Sequence, residues 1–279
     1  MLNAHMGEGT DDRDRDGSSV TRRSVIGGVM GAGLLEVLSV AGPVQNGAMA
    51  DDLSVAPGHH PGAGDRGLFS ADAPHVYTRK QWKARRPRRP AKVADRRPDH
   101  IIVHHTATAN SDDRSVEHAF ALSRRIQDIH MDTNGWDDTG QQLTISRGGI
   151  VMEGRNRSLK AIHDGDLAIG AQVLHHNGHT IGIENEGTYT TKAVPSHLWT
   201  SLVEVCVWLC QAYDLEPSEA IVGHRDYNAT ACPGDVLYAR LPELRRAVAG
   251  RLDGSGPTTP ADGAKDPLVP ILPDLDDLT

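Results

Sequence analysis

The chain has 279 residues, enough for one large domain or two small ones. Lys and Arg total 29 against 37 Asp and Glu, and aromatic residues are only 4%, which argues against a general nucleic-acid binder or a base-stacking surface. Three cysteines exclude a small disulfide-built scaffold.

In chain order, Thr21-Arg22-Arg23-Ser24 precedes a Gly-rich apolar stretch from Val25 to Gly42, and Ala48-Met49-Ala50 supplies a small-x-small cleavage pattern. Residues 1–50 therefore read as a bacterial twin-arginine export signal. The alternative is a short membrane anchor, which the glycines and Glu36 disfavour. No stable membrane insertion is expected once the signal is removed, so the mature protein should be extracellular, periplasmic or wall-associated. Residues 51–75, rich in Gly, Pro, Ala and Asp, read as a linker. Residues 253–279, with five prolines and six acids, read as a disordered acidic tail. A single domain remains over residues 76–252.

Within it, Ile101-Ile102-Val103-His104 is a buried strand with a polar C-terminal end. Asp112 or Asp113 can cap a helix reaching to about Met131. Leu143–Ser146 and Ile150–Glu153, joined by Arg147-Gly148-Gly149, form a hairpin. Thr180–Glu184 is a strand, and a helix after Pro195 places Leu198, Leu202, Val205, Cys206, Leu209 and Tyr213 on one stripe. Ala220–His224 is a strand, and a last helix starts near Pro242. Alternating strands and helices give an α/β class: a central mixed sheet flanked by helices, with disordered N- and C-terminal extensions.

Two of these strands run into histidine. His104 follows one, His224 follows another, and Cys232 stands eight residues beyond His224. Two imidazoles and a thiolate are zinc-type donors, and three protein ligands leave a fourth position for water, as in catalytic sites. Alternation along a strand allows only one of His104 and His105 to face such an ion. By spacing alone, chance pairing among fifteen histidines and a core-filling cysteine remain the competing explanation.

Ile101–Ala107, Gly135-Trp136, Glu153-Gly154-Arg155, Ile181-Gly182-Ile183 and Gly223-His224-Arg225-Asp226 through Cys232-Pro233-Gly234 together resemble the peptidoglycan recognition protein family, part of the wider zinc-dependent N-acetylmuramoyl-L-alanine amidase group. The resemblance runs from about Tyr77 to Leu252. It implies zinc held by His104, His224 and Cys232, and hydrolysis of the amide joining N-acetylmuramic acid to L-alanine in peptidoglycan or its fragments, the muropeptides. It also admits a rival, because some members of the family keep the fold as non-catalytic binding modules.

The chain departs from that pattern in two places. Catalytic members usually carry Tyr where this chain has Gln141, and glutamine cannot exchange a proton. The family's Gly-Ala-His segment reads Gly170-Ala171-Gln172 here, so Gln172, with Gln141 and Arg155, is expected among the substrate-binding residues. In compensation, Ile183-Glu184-Asn185-Glu186-Gly187 resembles the segment from which cytosolic anhydromuropeptide amidases draw a catalytic carboxylate. Glu184 is accordingly expected to shuttle protons, with Glu186 as runner-up on the same face. Thr230, two residues before Cys232, is expected either to donate to the oxyanion or simply to cap its loop. The ten basic side chains between residues 79 and 97 read either as a contact for anionic wall material or as a solvated entry segment.

Overall fold

A computed structural model describes residues 73–255. The export signal, most of the linker and most of the acidic tail lie outside the described residues.

Six strands form the main sheet in the order β1-β5-β4-β7-β3-β8. They are β1 (Val76–Tyr77), β3 (His100–His105), β4 (Leu143–Ile145), β5 (Val151–Glu153), β7 (Thr180–Asn185) and β8 (Ile221–Gly223). Only the β4–β5 hairpin is antiparallel; β3 runs parallel to both β7 and β8, so the sheet is mixed as expected. A small antiparallel pair, β2 (Val93–Ala94) with β6 (Leu167–Ala168), stands apart, and these two-residue strands carry too little pattern to be legible in sequence.

The pleat sorts the side chains into two layers. Ile101, Val103, Leu143, Ile145, Ile181 and Ile183 face a core closed by α3 (Ser196–Tyr213) and α6 (Leu241–Leu252). The stripe of α3 enters this core as its spacing requires, and Cys206 and Cys210 are buried free thiols within it. The opposite face holds Met152, which packs with Trp82 and with Ala119 of α1 (Val116–Asp128). In register, Met152 lies beside Thr144, Thr144 beside Glu184, and Glu184 beside His104. One cross-sheet row thus runs from an apolar anchor to the polar end of β3.

Two helix details differ from expectation. Ser115, rather than Asp112 or Asp113, caps α1 by accepting the His118 N–H at 3.2 Å. Asp113 instead accepts the Ser115 N–H at 2.9 Å, one step upstream, so the acid orders the capping residue. The helix also ends at Asp128 and gives way to a π-helical turn over Ile129–Thr133. The remaining helices are α2 (Ser158–Asp164), α4 (Pro217–Ala220) and α5 (Asp235–Ala239). No helix among the described residues is long and apolar enough to cross a membrane.

Candidate metal centre and its cleft

β3 and β8 are paired through Val103 and Gly223, so the residues that follow them, His104 and His224, emerge side by side. Their rings lie 4.6 Å apart between centroids. Cys232 returns to the same point on the loop before α5, with Sγ 3.6 Å from His104 Nδ1. One donor atom from each of the three falls within 4.8 Å of the others. The neighbouring His105 faces away, its Nδ1 accepting the Tyr189 N–H at 3.3 Å, as strand alternation demands.

The donors suit a metal ion. His224 Nδ1 is buried without a hydrogen-bond partner, an orphaned lone pair of the kind a cation satisfies. The outer nitrogens are occupied: His104 Nε2 is 2.6 Å from Gln172 Oε1, and His224 Nε2 is 3.2 Å from Asn228 Oδ1. A carboxamide oxygen can only accept, so each Nε2 carries the proton and each Nδ1 presents its lone pair inward. Burial, reinforced by the neighbouring imidazole of His224, holds His104 well below its usual value, and burial lowers His224 as well, so both are neutral as ligands must be. Burial pushes the Cys232 thiol up to about 12, so its thiolate forms only with a cation beside it.

Glu184 stands next to His104 in register. The residue is only half-buried as a whole, yet its carboxyl is enclosed deeply enough that burial pushes it up to about 8. A carboxyl poised near neutrality can both take and give a proton. Glu186 does not share this position. Strand β7 ends at Asn185, and the Glu186 carboxylate is fully engaged, 2.6 Å from His118 Nε2 and accepting the Arg147 N–H at 2.7 Å. Thr230 Oγ1 accepts the Cys232 N–H at 3.1 Å, which caps the ligand loop and leaves the hydroxyl proton free.

The three residues expected to touch substrate all have partners within the protein. Gln172 lies over Gly182, where a Cβ would come within 2.7 Å of its Cδ, and its Nε2 donates to Thr180 Oγ1 at 2.9 Å. Its carboxamide is therefore held between His104 and Thr180. Gln141 is buried, with Nε2 donating to Thr144 Oγ1 at 2.9 Å and Oε1 left unpartnered. Arg155 is buried under the turn before Gln141, with Nη1 donating to the Thr139 carbonyl at 2.9 Å. Sequence reasoning missed Asn228, although its position four residues after His224 placed it within one turn of that ligand. It also missed Thr144, whose place depends on strand register.

The basic segment is largely tied down. Arg79 pairs with Asp138, Arg85 with Asp128 and Asp132, Arg88 with Asp132, Arg89 with Asp137 and Arg97 with Asp214. These pairs favour its reading as an entry segment fastened to the domain.

Comparison with known proteins agrees with this geometry. Residues 94–235, a little over half the chain, match the Amidase_2 family, described as N-acetylmuramoyl-L-alanine amidase. The chain is 31% identical over 170 residues to the human N-acetylmuramoyl-L-alanine amidase, covering 60% of this chain and 28% of that protein. It is 28% identical over 142 residues to peptidoglycan-recognition protein SC1a of Drosophila melanogaster, covering 51% of this chain and 71% of that one. The chain thus spans less than a third of the human amidase and most of the insect protein. The solved ectodomain complex of peptidoglycan recognition proteins LCa and LCx with tracheal cytotoxin superposes with a TM-score of 0.53 at 26% identity, covering 60% of this chain and 95% of the matched one. Drosophila PGRP-LB superposes at 0.52 over 60% of this chain and 92% of its own, with 24% identity, and shares the fold. A mixed sheet whose strand ends bring two imidazoles and a thiol together is thus matched by family resemblance over the same residues, and the chain belongs to the N-acetylmuramoyl-L-alanine amidase family.

Proposed function

We propose that this protein is an exported zinc hydrolase that cleaves the amide between N-acetylmuramic acid and L-alanine in peptidoglycan or its fragments. The observation that carries the reading is the convergence of His104, His224 and Cys232 beside the enclosed carboxyl of Glu184. His104 and His224 would hold the ion through Nδ1 and Cys232 through Sγ. Zinc bound there supplies Lewis acidity and lowers the pKa of a water to about 7.

The chain's own residues do the rest. The Glu184 carboxylate takes the proton of the attacking water and returns it to the nitrogen of the departing L-alanine. The Thr230 hydroxyl is free to donate to the carbonyl oxygen as negative charge develops on it. Gln141 orders Thr144, the register neighbour of Glu184, and so supports the carboxyl from the far side. Arg155 supports the substrate side of the cleft by bracing the turn that carries Gln141. The recognition proteins LCa and LCx bind tracheal cytotoxin, which makes a muropeptide the partner class to test first. Export would follow the twin-arginine signal over residues 1–50.

The rival reading, a binding module without catalysis, draws on Gln141 standing where catalytic relatives carry Tyr. Cys232 and Glu184 favour the enzyme. Mass analysis of digested wall separates the two. Free lactyl groups together with new L-alanine amino termini are expected; intact glycopeptides after prolonged incubation with zinc-loaded protein would leave only the binding module.

The outer carboxamides make a separate prediction. Gln172→Leu removes the acceptor that fixes the His104 tautomer, and metal affinity should fall roughly 10–100-fold. Gly182→Ala should act the same way from behind, because its Cβ displaces the Gln172 side chain. Competition against a chromophoric chelator reads both, and unchanged affinity in both variants would show that Gln172 does not position the ligand.

A further inference from the structure

We propose that Asp99, His100 and His179 form a second divalent-metal site, independent of the first and at the opposite end of β3. His100 and His104 are four residues apart on one strand, roughly 13 Å by strand rise, too far to share an ion. The strand entry points create the cluster. His100 pairs with Thr180, so Asp99-His100 and His179 enter the sheet as neighbours, and the Asp99 N–H donates to the His179 carbonyl at 2.9 Å.

Asp99 Oδ1 consequently lies 2.6 Å from His100 Nδ1 and 2.8 Å from His179 Nδ1, and one donor atom from each residue falls within 4.8 Å of the others. Around an ion with bonds of about 2.0–2.2 Å, adjacent ligand atoms stand roughly 3.0–3.4 Å apart. Small side-chain rotations bring the three donors to those separations. Two imidazoles and a carboxylate are the donor set of zinc and its neighbours among the divalent transition metals. Asp99, His100 and His179 side chains are 59%, 31% and 34% exposed, so an ion and its remaining waters can reach them.

A ligating imidazole also needs a partner for its second nitrogen. His179 has one: its Nε2 is 3.1 Å from His176 Nδ1, which can take the proton that ligation through Nδ1 moves to Nε2. The Tyr227 ring lies against His100 at 5.7 Å and His176 at 4.4 Å between centroids, flanking the cluster.

An ion held here would fasten the start of β3 to the end of the segment over residues 172–179. The other end of that segment carries Gln172, which meets His104, and Leu174, whose N–H donates to Asn228 Oδ1 at 3.1 Å. Asn228 in turn meets His224. The second ion would therefore clamp the segment that orients both imidazoles of the first site.

Cobalt(II) titration of the full chain tests the proposal, because only a site with a thiolate gives sulfur-to-cobalt charge-transfer absorption. Wild type should take up two equivalents, one with that band and one without. His179→Asn and Asp99→Asn should each keep the banded equivalent and lose the other, whereas Cys232→Ser should keep only the band-free one. Uptake of one banded equivalent by wild type overturns the proposal, as does a band-free equivalent that survives in both His179→Asn and Asp99→Asn. A single band-free equivalent in wild type, lost in those two variants, upholds the second site and sinks the first.

Discussion

Glu184→Gln should retain zinc and muropeptide binding yet lose at least tenfold in turnover, a rise in barrier of about 1.4 kcal/mol or more. Removal of a general acid–base commonly costs on the order of 10²–10⁴-fold, so tenfold is the least loss consistent with the role. The substitution preserves volume and the position beside His104 while removing the carboxyl, the proton-exchanging group of that row that is not itself a proposed metal ligand. Its register neighbour Thr144 and the Gln141 bonded to Thr144 offer a hydroxyl and an amide, and neither can replace it. Steady-state kinetics on a purified muropeptide, with metal content measured on the same sample, decide the matter. Near-wild-type turnover at full metal occupancy would remove Glu184 from the mechanism. Equal loss of metal and activity would reassign it to holding the site together.

Asp138→Ala should destabilise the domain strongly. Its carboxylate is completely buried and fully used. Oδ1 accepts from Arg79 Nη2 at 3.0 Å and Gln127 Nε2 at 2.7 Å, while Oδ2 accepts from the Asn156 N–H at 2.9 Å and its Nδ2 at 2.8 Å. Those partners come from the entry segment, helix α1 and the loop after β5, so one side chain joins three parts of the chain. Truncation leaves the Arg79 side chain, only 13% exposed, without its counter-charge, with the Gly154 and Arg85 carbonyls as its remaining acceptors, and removes the acceptor of the Asn156 N–H and Nδ2. Removing one partner of a buried ion pair costs about 3–5 kcal/mol, which for a domain of this size lowers Tm by on the order of 10 °C. Thermal and urea unfolding measure it. Asp138→Asn, which keeps the shape and one acceptor, should fall between the variant and wild type. A Tm for Asp138→Ala within about 2 °C of wild type would show that the network adds nothing to stability.

Long periodic elements were legible because their signal is local. The β-branched run of β3, the stripe of α3 and the β4–β5 hairpin follow from residue order alone, and so does the division of labour between His104 and His105, since alternation is a property of the strand itself. Gln172 shows where such reasoning stops. Its place in a family motif suggested contact with substrate; the structure adds that the side chain lies over Gly182, ten residues on, and meets His104, 68 positions away in the chain, a contact no local pattern announces. Glu186 is a second example. Period two places it on the face of Glu184, yet its carboxylate is taken up by His118 Nε2 and the Arg147 N–H, partners that chain order does not announce.

The sequence by itself determined the layers, the buried face of each long element and the residue types available for metal and proton chemistry, because each depends on neighbours within a few positions. Tertiary structure alone decided which polar side chains serve one another. Register across β4, β7 and β3 put Thr144, Glu184 and His104 in a row, and the pairing of β3 with β7 set Asp99 and His100 against His179. Hydrogen bonds and metal ligation require atoms within about 3 Å, and chain order does not specify that distance between segments that meet only after the sheet has assembled.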